Sequence, residues 1–400
     1  MIGRPRRRPL VALGLSMAAI AALVAAARAA FVVVPDRIAR TKNQVRRPPP
    51  YPASDRALDL HRRLVVVDLH ADSLLWGRDL LERSAHSHVD VPRLIEGGIA
   101  LEGLAVCTKV PRGVNLDRND DRTDDVTLLA LAQRWPTATW RSLLARALYH
   151  AERARDMARR SDGRLSLIGS QADLARYLAR RELDRGITAA FLTIEGAHAL
   201  DGDPANVDVL ADAGFRMMSP THFFDNAFAG SAHGLERGGL TAAGREMIAR
   251  MEARSTIVDV AHASSRTIDD ILAVANRPVV ASHTGVRRSF DSVRNLPDAQ
   301  VRGIAATGGL VGIGFWPTAT GGDDPASIVR TIRAAVELVG TNHVGLGSDF
   351  DGTLFMPEGV SDVAGFPAIT TGLLARGHRE DEIRGILGEN TLRVLAEAGP

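Results

Sequence analysis

Seven side chains able to bind a metal or move a proton fall at the ends of apolar runs. Val65-Val66-Val67-Asp68-Leu69-His70-Ala71-Asp72 reads as a buried strand that ends in a His-x-Asp pair. Along an extended chain residues i and i+2 face the same way, so His70 and Asp72 can reach one point just past the strand. Later runs end alike: Glu195 closes Phe191-Leu192-Thr193-Ile194, and His222 follows Ser219-Pro220-Thr221. His262 follows Val258-Asp259-Val260-Ala261, His283 follows Val279-Val280-Ala281-Ser282, and Asp349 follows Gly345-Leu346-Gly347-Ser348. Each stands where an apolar strand would otherwise carry on, and buried charge is costly unless it is paired or metal-bound. Singly, each has a plainer reading. A strand-end His can be a hydrogen-bonded core residue, Glu195 a helix-capping carboxylate, and Asp349 with Asp351 the makings of a turn.

Taken together, imidazoles and carboxylates without thiolates suit zinc. His70, Asp72, Glu195, His262 and His283 exceed what one tetrahedral ion with an open position needs. A pair of zinc ions sharing Glu195 as a bridge accommodates them all. Such a pair activates a hydroxide at neutral pH. Asp349 then remains as a proton-transfer group and His222 as a donor to a developing oxyanion. Lys109, which lies just past the second strand, is a poorer bridge than Glu195.

Positioning these groups requires parallel strands whose C-terminal ends share one mouth. Strands are predicted at 64–68, 99–107, 187–194, 215–219, 256–260, 278–282, 309–315 and 344–347. Helical patterns lie between them at 242–254, 265–275, 297–306 and 325–339, with Ser264 as an N-cap and Gly340 as a stop. Alternation of this kind implies an α/β fold of the TIM-like (β/α)8 barrel class. An open doubly wound sheet is the alternative, and the lack of a Gly-rich fingerprint after the first strand argues against it. The barrel domain is assigned to 56–400, with a helical insertion at about 108–165 and a final helix over 380–397.

Composition is that of an ordinary soluble body, 45% hydrophobic and 24% charged over 400 residues. The formal charge of +2 hides an asymmetry: residues 1–47 hold ten basic groups against Asp36 alone, which leaves the rest at −7. No basic patch in the body suggests nucleic acid. Cys107 is the only cysteine, so neither an intramolecular disulfide nor a Cys-based zinc site is available. Residues 1–30 read as a signal peptide or N-terminal membrane anchor, since four arginines precede an apolar stretch over 10–27. Either reading puts the body outside the cytoplasm, in the periplasm or on the outer face of the membrane. Residues 31–55 read as a Pro-rich spacer.

On these residues the chain resembles the membrane dipeptidase (renal dipeptidase) family over roughly 60–395. The resemblance is carried by Asp68-Leu69-His70-Ala71-Asp72, Ile194-Glu195-Gly196, Gly239-Leu240-Thr241, Val258-Asp259-Val260-Ala261-His262, Ser282-His283, Arg294-Asn295-Leu296-Pro297-Asp298 and Gly347-Ser348-Asp349-Phe350-Asp351-Gly352. It implies a barrel with two zinc ions that hydrolyses dipeptides: His70 and Asp72 on one ion, His262 and His283 on the other, Glu195 between. It further implies Asp349 as the proton-transfer acid, His222 as the group polarising the scissile carbonyl, and Arg294 as the grip on the substrate's terminal carboxylate. A dipeptide with a D-residue on its C-terminal side is within that expectation, and homodimerisation is left open. The chain departs from the family at Ala71, where many members carry a polar residue, and over 112–165, which does not align clearly. Two other functions stay open at this point. One is a different amidohydrolase-type reaction on the same barrel, lactam opening or deamination. The other is a non-catalytic, membrane-tethered binding protein.

Overall fold

The computed structural model describes residues 8–353 and 355–398; side chains at 8–16, 18, 25–30, 32 and 398 lie outside that description. Much of the expected leader, 1–30, therefore falls outside the described residues. Its backbone from Arg8 joins a helix that runs to Lys42, past Pro35. Among the described residues no helix is long and apolar enough to cross a membrane. The irregular stretch over 43–54 lies across the body, tied by Arg46 to Asp323 at 2.7 Å and by the Gln44 carbonyl to His88 Nε2 at 3.1 Å.

The apolar runs form the eight strands of one barrel. They are β1 (Val66–Ala71), β2 (Ile99–Cys107), β3 (Thr188–Glu195), β4 (Phe215–Met218), β5 (Ile257–Val258), β6 (Val280–Val286), β7 (Leu310–Ile313) and β8 (Val344–Leu346). Parallel ladders join β1 through β5 in chain order, and a second set joins β6, β7 and β8. Two isolated parallel bridges close the ring: Asp259 with Val280 between β5 and β6, and Ala71 with Phe350 between β8 and β1. Two short extra strands sit beside the ring, Leu165–Leu167 on β3 and Asn295–Leu296 on β6.

Alternation along the strands divides the core. Val67, Leu69, Leu101, Ala189, Phe191, Met217, Ile257, Val280 and Leu310 form one buried cluster that fills the barrel. Val66, Ile99, Leu104, Leu192, Ile194, Val258 and Ala281 pack instead against the surrounding helices. This is the two-layer arrangement in which strands buried on both faces read as continuous apolar runs.

The helices start and stop where their capping residues stand. Ser264 accepts from Thr267 N at 3.0 Å at the head of Ser265–Val274, and Gly340, at φ +81°, ends Pro325–Val339. The insertion contributes Asp125–Ala132 and Leu143–Arg160. Buried Arg146 pins it to the end of β2, donating to the Thr108 carbonyl at 2.7 Å while pairing with Asp124 at 2.6 Å. The expected last helix is instead Glu380–Arg384, a π turn over Gly385–Glu389, and Asn390–Ala398. The turn brings Gly388 against β1, where a Cβ would stand 1.8 Å from the Val65 carbonyl oxygen.

Candidate metal centre

Local irregularities of the barrel aim the strand-end side chains inward. The register of β1 on β2 slips between Asp68 and Ala71, around His70. The register of β6 on β7 slips between Ala281 and Thr284, around His283. Bulges of this kind re-aim side chains beside active sites, and the two imidazoles meet with ring centroids 3.8 Å apart. His262 and Asp349 both adopt left-handed backbone at φ +63°, a conformation that costs a non-glycine residue about 1–3 kcal/mol and clusters at functional sites.

The result is a single focus at the mouth. Glu195 Oε1 lies 3.0 Å from His262 Nε2, 3.5 Å from His283 Nε2 and 3.6 Å from His70 Nε2. His70 Nε2 is also 3.8 Å from Asp72 Oδ2, and His70, Asp72 and Asp349 can direct ligand atoms to one point. Glu195 Oε2 faces His222 Nε2 at 3.2 Å. Arg294 is buried at the rim, donating to the His283 carbonyl at 3.2 Å and lying over Trp316. No carboxylate among the described residues pairs with it. All eight residues singled out in the sequence are thus in one place.

Electrostatics marks the focus as short of positive charge. Burial pushes the Glu195 carboxyl well up, and Asp72 adds to this. Burial, with Asp72 again, lifts Asp349 to about 7. Burial opposes a charged His70, yet Glu195, Asp72 and Asp349 together raise it to about 10. Among the described residues, buried His70 Nε2, Asp72 Oδ1 and Glu195 Oε2 have no hydrogen-bond partner. His262 Nε2 and His283 Nε2 face each other at 3.0 Å on the same carboxylate oxygen. Orphaned lone pairs converging in an anion-rich pocket fit divalent cations with nitrogen and oxygen ligands.

A layer the sequence reading largely passed over holds these groups. Asp259 Oδ1 accepts from the backbone of Ser282 at 2.8 Å and of Ala261 at 3.0 Å. Its Oδ2 accepts from the Ser282 hydroxyl at 2.6 Å, and that hydroxyl oxygen lies 2.9 Å from His283 Nδ1. With its one proton given to Asp259, Ser282 accepts from Nδ1–H, which leaves the His283 Nε2 lone pair facing the centre. At the other junction Asp68 Oδ1 accepts from Ser348 N at 2.8 Å, just before Asp349. The Cys107 sulfur lies 3.4 Å from His222 Nδ1. A serine directly before both His283 and Asp349, and an aspartate inside each facing apolar run, were the available signals.

A closed parallel barrel that gathers imidazoles and carboxylates at the C-terminal ends of its strands defines a metal-dependent hydrolase type. Residues 54–399 match the membrane dipeptidase family (peptidase family M19), and the chain belongs to that family. A dipeptidase of Aspergillus oryzae, aclJ, is 34% identical over 219 residues, 53% of this chain and 52% of its own length. The chain thus matches about half the length of that curated relative. A metallopeptidase of Rhodobacter sphaeroides, solved with a phosphinate mimic of the dipeptide L-Ala-D-Ala, is similar at 25% identity. It superposes with a TM-score of 0.68 over 84% of this chain and 99% of its own. The probable dipeptidase PvdM of Pseudomonas aeruginosa shares the fold, with a TM-score of 0.71 and 20% identity over 86% and 98% of the chains.

Proposed function

We propose that the protein hydrolyses the peptide bond of dipeptides, using a pair of zinc ions held by His70, Asp72, Glu195, His262 and His283. The observation that carries this is the convergence of His70, His262 and His283 on Glu195 at 3.0–3.6 Å, in a pocket where His70 Nε2 and Asp72 Oδ1 have no hydrogen-bond partner among the described residues. When bound, the ions supply Lewis acidity at the carbonyl and lower the pKa of water toward about 7.

The remaining steps belong to the side chains. Asp349 takes a proton from the attacking water and gives it to the departing amine nitrogen. Burial raises this carboxyl above the ordinary carboxylate range, a direction that suits accepting and then returning a proton. His222 is kept neutral by burial; its Nε2–H donates to the carbonyl oxygen as negative charge develops there. Among the described residues Arg294 has no anionic partner, and its guanidinium receives the substrate's terminal carboxylate. That requirement favours dipeptides over long chains. The Rhodobacter relative's ligand mimics a dipeptide ending in D-Ala, and a D-residue on the C-terminal side is included in the proposal. The basic, apolar leader supports export, with the body on the outer side of a membrane.

Metal analysis combined with a Gly-Leu assay tests the reading. We expect two zinc ions per chain and chelator-sensitive release of leucine. Two ions with no dipeptide turnover would transfer the protein to another amidohydrolase-type reaction, and a metal-free, inactive chain would leave a binding role.

A further inference from the structure

Three loops on one side of the mouth carry polar groups that the proposed chemistry does not use. Lys109, one of only two lysines in the chain, lies just past β2. Its ammonium sits 5.1 Å from the centroid of the Phe224 ring, and no carboxylate among the described residues pairs with it. His198, three residues past Glu195, also borders this aromatic ring, its own ring centroid 5.0 Å from that of Phe224. His198 is only 7% exposed, and neither ring nitrogen has a hydrogen-bond partner among the described residues. The Thr108 and Thr221 hydroxyls, on the loops after β2 and β4, are likewise buried without partners. Asp124, the acid whose charge acts on His198, is already committed to Arg146 and to capping Asp125–Ala132. A free ammonium and a neutral imidazole able to donate, set against an aromatic wall, ask for an anionic acceptor.

The place of this sector in the ring identifies what it would meet. Cys107 is paired in register with Glu195, so Lys109 stands about 7 Å of extended chain above the level of the bridging carboxylate. In a ring of eight strands, β2 and β6 are at opposite poles. Arg294 follows β6, and Lys109 follows β2. A dipeptide whose terminal carboxylate is on Arg294 and whose carbonyl is over Glu195 directs its N-terminal residue toward Lys109 and His198.

We propose that Lys109 and His198 form an anion-accepting subsite for the side chain of the substrate's N-terminal residue, which selects dipeptides that begin with Glu or Asp. The inference rests on the dipeptidase reading above. It is tested with the full metal-loaded chain on the isosteric pair Glu-Leu and Gln-Leu. A charge-assisted contact at a partly buried site predicts that kcat/KM for Glu-Leu exceeds that for Gln-Leu by about tenfold or more. Lys109→Met should bring the ratio to about one, and Lys109→Glu should turn the preference toward Lys-Leu. Turnover of Gln-Leu with a wild-type ratio of one or less overturns the subsite and leaves the dipeptidase reading standing. A ratio unmoved by Lys109→Met also overturns it. Hydrolysis of neither dipeptide defeats both.

Discussion

At the scale of single residues, the proposed chemistry separates groups that hold the metal from groups that act. Asp349 borders the ligand set without being needed to complete it, and its backbone is fixed in a left-handed turn. A Cβ at Gly352 would come within 2.4 Å of Asp349 Oδ1 and 2.3 Å of Asp72 Oδ2, so the glycine keeps room for both carboxylates. Asp349→Asn should therefore retain both ions and lose about 100-fold or more of kcat, the usual scale of a lost general acid–base group. Parallel metal analysis and steady-state kinetics check this; equal loss of metal would reassign Asp349 as a ligand. Arg294→Ala should raise KM more than it lowers kcat, because it removes a contact made equally in the ground and transition states. An unchanged KM would remove Arg294 from the carboxylate contact. The candidate ligands were legible because each interrupts an apolar run at the end of a predicted strand. Arg294 was legible only through resemblance, since one arginine among 47 carries no signal of its own.

At the scale of elements, all eight strands could be read from sequence, since strands buried on both faces leave long apolar runs. The bulges around His70 and His283 could not, because a register slip is set by the neighbouring strand. Strand alternation alone would put Leu69 and His70 on opposite faces and explains only half of the site. The π turn near the C-terminus was also hidden, since it answers to the close approach of Gly388 to β1. The relay from Asp259 through Ser282 to His283 gives a prediction at this scale. Ser282→Ala removes the acceptor for Nδ1–H and should weaken metal affinity about 10–100-fold. Competition with a chromophoric chelator measures this. An affinity matching wild type would show that the ring is oriented by packing alone.

For the whole molecule, histidines buried in their neutral form make stability depend on pH, and three of them stand outside the candidate ligand set. His61 is enclosed between the Thr370 hydroxyl at 2.7 Å and the Gly97 carbonyl at 2.8 Å. His88 accepts from Asp351 N at 2.9 Å, and His150 lies edge-on to Trp135. Burial lowers the pKa of all three below the ordinary 6.5. Below that pH the unfolded chain takes up protons that the folded chain refuses, so stability falls as pH drops. Each fully suppressed group contributes about 1.4 kcal/mol per pH unit. Urea unfolding between pH 7.5 and 5.5 should show this decline, and His150→Gln should flatten it; a constant free energy over the range would contradict the assignment. The ring itself has two weak points. Between β5 and β6, and between β8 and β1, the ladder thins to a single bridge each, and the Asp259 and Asp68 side chains take over backbone partners. The candidate ligands flank both places. Cations bound there would work as hoops on a cask, drawing together staves that the main chain barely joins. Stripping them should speed amide exchange at Asp72, Val260, Ser282 and Asp349 while leaving the β2–β3 ladder slow.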